Sequence, residues 1–189
     1  NISVDDVIAA PDSPSIYEVP INFEKDKLGE RILKKFNLKP RRNDLGQWKK
    51  MIDRLKNTSR TIDIGIVGKY FVSGDFTMTD SYISVLEAVK HASSATRCRV
   101  NIHWLSAEEI EAKGTGLLKK FDGIIVPQGW GSRGSEGKIK TIRYCREKGI
   151  PYFGLCYGMQ MAVVEFARHV AGLKDAHSAE ANPKTPYPV

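Results

Sequence analysis

The chain has 189 residues, of which 41% are hydrophobic and 27% charged, and its formal net charge is +7. This composition is typical of a globular domain and excludes disordered and fibrous proteins. No apolar run approaches the roughly 18 residues of a membrane span, and the first residues lack the basic and apolar regions of a signal peptide, so we expect no membrane partner. The three cysteines have no regular spacing, which excludes a disulfide framework and favours a reducing, cytoplasmic compartment. The cysteines and the four histidines also lack the spacing of metal ligands.

The beginning of the chain predicts a connector with two helices. Several prolines in residues 1–22 disfavour a continuous helix, so we expect an extended segment there. Two amphipathic stretches follow, and Asn43 or Asp44 is the expected N-cap of the second. Because the sequence does not begin with methionine, we expect this connector, residues 1–57, to lie inside a longer protein. The two stretches are residues 26–38 and 44–55.

The positive charge is concentrated in the connector. Residues 25–60 contain thirteen Lys or Arg against four Asp or Glu. These residues occupy the polar faces of the two predicted helices, which favours a solvated face or a docking surface. No aromatic-studded basic groove or known binding motif accompanies them, so we expect no nucleic-acid partner.

Strand and helix patterns alternate in residues 58–189, which we interpret as one domain. Short apolar runs predict strands, and apolar residues at helical spacing predict the helices between them. This alternation predicts an α/β fold, an open parallel sheet with helices on both faces. The predicted strands are 61–70, 98–105, 121–127 and 150–156, and the predicted helices are 79–92, 106–113, 137–149 and 158–172.

Two glycine-rich loops follow predicted strands, where the active groups of open parallel sheets gather. The second, "GLCYG" (154–158), has the form Gly-x-Cys-x-Gly between a strand and a helix. This is the pattern of a nucleophile elbow, in which Cys156 is lifted clear of the sheet and the helix N-terminus favours its thiolate. The alternative is a buried structural thiol. The backbone N–H of Tyr157 would face a developing oxyanion, and Gly129 in "PQGWGSRGSEG" (127–137) would supply a second donor.

Longer stretches of the sequence resemble the glutaminase domains of the CTP synthase family, which are class I glutamine amidotransferases. The resemblance rests on "TIDIGIVGKY", "DSYISVLEAVKHA", "PQGWGSRGSEGKI", "FGLCYGMQMAVVEFARHVAG" and "HSAEANPKTPYPV", and on "SIYEVPINF", which resembles the connector leaving the family's synthetase domain. It implies a flavodoxin-like amidotransferase fold that continues beyond the C-terminal side of this chain.

The resemblance also implies an activity. Members of this family aminate UTP to CTP with ATP and Mg²⁺, and GTP is their allosteric effector. Ammonia comes from L-glutamine, hydrolysed through a cysteine thioester, and passes to the synthetase domain of the same polypeptide. The resemblance implies a homo-oligomer, a tetramer, for the full-length enzyme, and no cofactor or metal within this chain.

Residue by residue, the resemblance makes Cys156 the nucleophile and assigns the oxyanion donors to Gly129 and Tyr157. The glutamine-binding residues would be Gly129, Tyr157, Gly158, Met159, Gln160 and Glu180. The positions associated with the allosteric nucleotide would be Arg133, Gly134 and Glu136. The residues themselves also allow non-functional interpretations. Glu180 could be an ordinary surface acid, and Arg133 and Glu136 could form a salt bridge with each other.

Two departures from the family pattern stand out. The family has Gly-Gly where this chain has Gln128-Gly129; if the first position needs a positive φ, glutamine costs about 1–2 kcal/mol there. The family's catalytic histidine and its orienting glutamate are expected beyond Val189, and we do not expect His177 to replace them. We therefore predict that this chain is labelled at Cys156 but hydrolyses glutamine negligibly.

Two other functions remain open at this point. One is a stand-alone flavodoxin-like cysteine hydrolase, which the connector disfavours. The other is a degenerate, non-catalytic amidotransferase-like module that regulates partners, which Gln128 favours.

Overall fold

The structure is a computed structural model that describes residues 3–41, 44–69, 72–73, 76–77 and 79–189. The chain divides into two compact units. The first consists of residues 1–58 with 94–97, and the second of residues 59–93 with 98–189.

The first unit is helical. Its helices are α1 (Val19–Lys25), α2 (Leu28–Lys35) and α3 (Gly46–Lys56), preceded by 3₁₀ turns at Val4–Asp6 and Ile16–Glu18. The indole Nε1 of Trp48 donates a hydrogen bond of 2.7 Å to the carbonyl of Tyr17, and this contact ties α3 to the segment before α1.

Two predictions for the first unit are wrong. Residues 1–22 are not extended throughout, because α1 begins at Val19 and Pro20 lies in its first turn, where a missing N–H is tolerated. The N-cap of α3 is Leu45, although the carboxylate of Asp44 accepts a hydrogen bond of 2.8 Å from the N–H of Gly46. Asn43 lies outside the described residues.

The second unit is built on a parallel sheet of four strands, ordered β4-β1-β5-β6. A two-stranded antiparallel ribbon, β2 with β3, was not predicted. The strands are β1 (Arg60–Gly68), β2 (Val72–Ser73), β3 (Phe76–Thr77), β4 (Cys98–Ser106), β5 (Gly123–Val126) and β6 (Tyr152–Gly154). The helices that follow β1 in the chain are α4 (Ile83–Thr96), of which residues 94–96 are counted with the first unit, α5 (Ala107–Lys113), α6 (Ser135–Lys148) and α7 (Tyr157–His169).

Alternate strand residues enter cores on opposite faces of the sheet, as the pleat requires. Ile66 packs with Tyr82 and Val85 under the start of α4. Its neighbour Val67 packs with residues of α5 and α6 on the other face. The predicted open parallel sheet with helices on both faces is thus confirmed. Because β5 and β6 are neighbours, the loops that follow them meet at one edge of the sheet.

Candidate active site

Cys156 lies on the tight turn that links β6 to α7. The strand ends at Gly154 and the helix begins at Tyr157, so the cysteine is the N-cap residue. Its backbone has φ 52° and ψ −109°, a conformation that costs an L-residue about 1–3 kcal/mol. The Cys156 side chain is exposed, whereas Cys98 and Cys145 are buried. The turn therefore presents one thiol to solvent on a strained strand-to-helix elbow.

Two glycines permit the close packing around this turn. A Cβ at Gly158 would lie 1.9 Å from the carbonyl oxygen of Val126, and one at Gly154 would lie 2.7 Å from the backbone nitrogen of Met159. Both clashes involve backbone atoms, which cannot swing aside as a flexible side chain would. The first turn of α7 rests directly on the end of β5, and the elbow therefore lies beside the loop that follows β5.

Two backbone N–H groups are candidate oxyanion donors. Tyr157 is in the first turn of α7, where an N–H has no intrahelical acceptor. Gly129 lies in the loop after β5, and its N–H makes no backbone hydrogen bond with the residues that the structure describes. The ring of Trp130 lies 5.5 Å from the ring of Tyr157, so the loop and the start of α7 contact each other.

The strain considered for Gln128 does not arise. The residues with positive φ in this loop are glycines, Gly129 at 153°, Gly131 at 92° and Gly134 at 71°, whereas Gln128 is outside that region. The carbonyl of Gln128 accepts a hydrogen bond of 3.2 Å from the hydroxyl of Tyr82. Glutamine therefore fits here without the penalty that a left-handed conformation would impose.

Tyr157 is held in place by its own side chain. The residue is inaccessible to solvent, and its hydroxyl lies 2.9 Å from Oγ of Ser135, within hydrogen-bond distance. The ammonium of Lys138 lies 5.1 Å from the centroid of its ring, a cation–π contact. These contacts fix the first turn of α7, and with it the N–H of Tyr157.

Sequence reasoning missed Lys138 and Lys69, two buried lysines behind the loop. Burial lowers the pKa of Lys138 to about 8, and burial also lowers the pKa of Lys69. Lys138 occupies one face of α6 together with four other buried residues. The helical spacing of these residues is the sequence feature that could have revealed Lys138, because it places the lysine within the buried stripe of α6. The four that share its face are Ser135, Thr141, Ile142 and Cys145, and Gly137 and Ile139 on either side of Lys138 are also buried.

The predicted glutamine-binding residues downstream of Cys156 differ in exposure. Met159 is 56% exposed, and Glu180 is exposed in a turn. The Oε1 atom of Gln160 and Nδ1 of His177 are buried without a hydrogen-bond partner among the described residues. An unpaired buried acceptor is costly, so Oε1 of Gln160 is a candidate ligand contact.

The three residues predicted for nucleotide binding have separate partners. Arg133 donates from Nη2 to the carbonyl of Lys69 at 3.3 Å and pairs through Nε with Glu108 at 3.3 Å. Glu136 instead accepts two bonds of 2.9 and 3.1 Å from Arg168. The alternative of a mutual Arg133–Glu136 salt bridge is therefore wrong. Gly134 is the N-cap of α6, with φ 71°.

A cavity of about 400 Å³ lies beside Arg133, lined by Glu108, Glu111, Ala112, Ser132, Arg133 and Gly134. His177 is not among the residues that line this cavity. Burial and Arg168 lower the pKa of His177, whereas Glu136 and a hydrogen bond with the backbone of Ser178 raise it. Within the described parts of the chain, no group of three or more His, Cys, Asp or Glu residues could hold a metal ion. None of the described helices has the length and hydropathy needed to cross a membrane.

Comparison with known proteins gives a consistent result. Residues 77–185 match the family model described as "Glutamine amidotransferase class-I". CTP synthase of Pyrococcus abyssi is 50% identical over 189 residues, which is 100% of this chain and 34% of the relative. CTP synthase of Synechococcus sp. (strain JA-3-3Ab) is 46% identical over 190 residues, with the same coverage. The chain thus spans about a third of the length of these relatives.

A solved structure is also similar. It is the glutaminase domain of Trypanosoma brucei CTPS with bound acivicin, with a TM-score of 0.59 and 38% sequence identity. The match covers 67% of this chain and 48% of that chain.

Proposed function

This chain belongs to the class-I glutamine amidotransferase family, and we propose that it is the glutamine-hydrolysing part of a CTP synthase. The observation that carries the proposal is the exposed Cys156 thiol on a strained elbow, beside the backbone N–H groups of Tyr157 and Gly129. The alternative of a degenerate, non-catalytic module depends on Gln128, which fits its loop without strain.

Cys156 is the nucleophile. Its thiolate attacks the carboxamide carbon of L-glutamine, an S–C bond forms, and the carbonyl oxygen becomes an oxyanion. The N–H groups of Gly129 and Tyr157 stabilise that charge. The C–N bond then breaks, ammonia leaves with a proton from a general acid, and water hydrolyses the thioester to glutamate.

The proton donor is not assigned to a histidine of this chain. His177 has Arg168 and Glu136 as its charged neighbours, and His103 pairs with Asp63 at 2.6 Å. The family resemblance assigns the base to a histidine, oriented by a glutamate, downstream of this sequence. We therefore expect Cys156 to react with an electrophilic glutamine analogue without that histidine, whereas turnover of glutamine requires its proton transfer.

The substrate-binding residues follow from the same turn. Gly158, Met159 and Gln160 line the glutamine pocket, with the buried and unpaired Oε1 of Gln160 as an acceptor for substrate. Glu180 binds the substrate α-ammonium. The exposed carboxylate of Glu180 is suited to this role, because a charged group of the ligand can reach it from solvent.

The remainder of the activity belongs to a larger polypeptide. Residues 58–189 form the glutaminase domain, and residues 1–57 connect it to a synthetase domain that binds UTP and ATP with Mg²⁺. GTP, the effector, contacts Arg133, Gly134 and Glu136. The full-length enzyme is a cytoplasmic homotetramer.

Covalent labelling tests the proposal. A diazo-ketone analogue of L-glutamine is incubated with the chain, and the modified peptide is located by mass spectrometry. We expect one adduct, at Cys156, that excess L-glutamine prevents. Cys156→Ser is the control for the nucleophile, and Glu180→Gln should weaken the protection by glutamine.

Two results would contradict the proposal. One is equal labelling by the D-enantiomer of the analogue, because the glutamine pocket is chiral. The other is labelling that glutamine does not reduce, because the reagent would then be reacting with an exposed thiol outside a glutamine site.

A further inference from the structure

Buried side chains hold the loop that carries Gly129, which we call the oxyanion loop (residues 127–131). Four of its five carbonyl groups accept hydrogen bonds from four side chains, each at most 6% exposed. Lys138 donates to Pro127 at 3.3 Å and Tyr82 donates to Gln128 at 3.2 Å. Lys69 donates to Trp130 and, at 3.4 Å, to Gly131, which also accepts a bond of 3.0 Å from Ser135.

The bond from Tyr82 fixes the direction of the Gly129 N–H. The carbonyl of Gln128 and the N–H of Gly129 belong to one planar trans peptide group and point in opposite directions. Because the hydroxyl of Tyr82 holds that carbonyl on the core side, the N–H is directed away from the core. Rotation of the peptide would break the bond to Tyr82 and leave a carbonyl oxygen where the oxyanion donor should be.

Lys138 acts on the preceding peptide group and on the other donor. Its ammonium holds the carbonyl of Pro127 and lies over the ring of Tyr157, whose N–H is the second candidate donor. In the described part of the chain, no carboxylate pairs with Lys138, although its side chain is inaccessible to solvent. An unpaired buried ammonium is costly, which is why burial lowers the pKa of Lys138 to about 8. A purely structural site would be filled more favourably by an apolar side chain.

We propose that Tyr82 and Lys138 are positioning residues of the oxyanion site, which hold the two successive peptide groups of residues 127–129 so that the Gly129 N–H faces the Cys156 thiol. The proposal rests on the proposed function, because it assigns the same thiol and the same donor. It adds two residues that touch neither substrate nor thiol directly.

The test compares two reactions of Cys156 that differ in their need for an oxyanion donor. With 4-nitrophenyl acetate, an S–C bond forms at the carbonyl carbon, the oxygen passes through an oxyanion, and 4-nitrophenolate leaves with the electron pair. With iodoacetamide, the thiolate displaces iodide from a saturated carbon and no oxyanion develops. In both reactions the thiol proton goes to the buffer, so the ratio of the two rates reports on the oxyanion site alone.

Tyr82→Phe removes one hydroxyl, and Lys138→Met removes the ammonium with little change in volume. We expect each to lower the acylation-to-alkylation ratio about tenfold, less than the 10²–10³-fold loss from deleting an oxyanion donor outright. Tyr144→Phe and Lys140→Met are the matched controls. Tyr144 packs against the core, and Lys140 donates to a surface carbonyl at 2.8 Å. Cys156→Ser gives the background rate.

An unchanged ratio in Tyr82→Phe and Lys138→Met overturns the proposal. So does a wild-type ratio no higher than that of N-acetylcysteine, since no oxyanion site would then be formed. Circular dichroism confirms that each variant is folded, and the alkylation rate confirms that its thiol is accessible. Neither reagent resembles glutamine, so failure of the diazo-ketone labelling with a positive result here would reject the glutamine assignment and leave the positioning roles in place.

Discussion

The substitution Lys138→Met should change how stability depends on pH. Burial, helped by the nearby ammonium of Lys69 and opposed by Cys156, lowers the pKa of Lys138 from 10.5 to about 8. Between these values the unfolded chain binds the proton and the folded chain does not, so the free energy of unfolding rises with pH in that window. A difference of about 2.5 pH units, at about 1.36 kcal/mol per unit, corresponds to about 3 kcal/mol.

Urea denaturation at several pH values between about 7 and 10.5 measures this effect. The free energy of unfolding of the wild type minus that of Lys138→Met should rise by about 3 kcal/mol across the range. Burial raises the pKa of Cys145 to about 11, which lowers stability at high pH in both proteins and cancels in the difference. Lys140→Met, an exposed substitution on the same helix, should show no such rise. A difference that stays constant between pH 8 and 10.5 would refute the assignment of Lys138 as a buried, unpaired cation.

Two further predictions concern packing around the site. Gly158→Ala should destabilise the protein by about 1–3 kcal/mol in urea denaturation, because its Cβ would lie 1.9 Å from a strand carbonyl. Gly116→Ala, which adds a methyl group in open space, should change stability by less than about 0.5 kcal/mol; equal effects would contradict the proposed close approach. Arg146→Met should destabilise the protein clearly more than Arg143→Met does, because it leaves the 1%-exposed carboxylate of Glu165 without its bidentate partner. Arg143→Met breaks only an exposed pair and should cost less than about 1 kcal/mol in the same assay, so similar losses in the two variants would show that the buried carboxylate of Glu165 does not depend on Arg146.

Most of the sheet could be predicted from the sequence because its central strands, the second half of β1 and nearly all of β5, are buried. Such strands appear as short apolar runs, and helical spacing between them implies parallel pairing. The helix α1 could not be predicted from the prolines of residues 1–22, because proline breaks a helix only in its interior. Pro20 lies in the first turn, where the helix does not need its N–H. The ribbon of β2 and β3 was also missed, because strands of two residues leave too little sequence for alternation to appear.

At the candidate site, the Gly-x-Cys-x-Gly pattern located the turn, because its small residues are needed wherever a helix packs onto a strand end. The conformation of Gln128 could not be predicted in the same way. Its carbonyl is held by Tyr82, 46 residues away in the sequence, and a local pattern carries no record of such a contact. Lys138 was missed because a lysine is ordinarily exposed, and only its place in the buried stripe of α6 indicates otherwise.

A crystal structure of the chain after reaction with the diazo-ketone analogue of L-glutamine tests the central claim most directly. We predict a covalent bond to Sγ of Cys156, with the ketone oxygen about 2.7–3.1 Å from the backbone nitrogens of both Gly129 and Tyr157. An adduct on Cys156 whose oxygen points to solvent, with Gly129 turned away, would contradict the assignment of the oxyanion site.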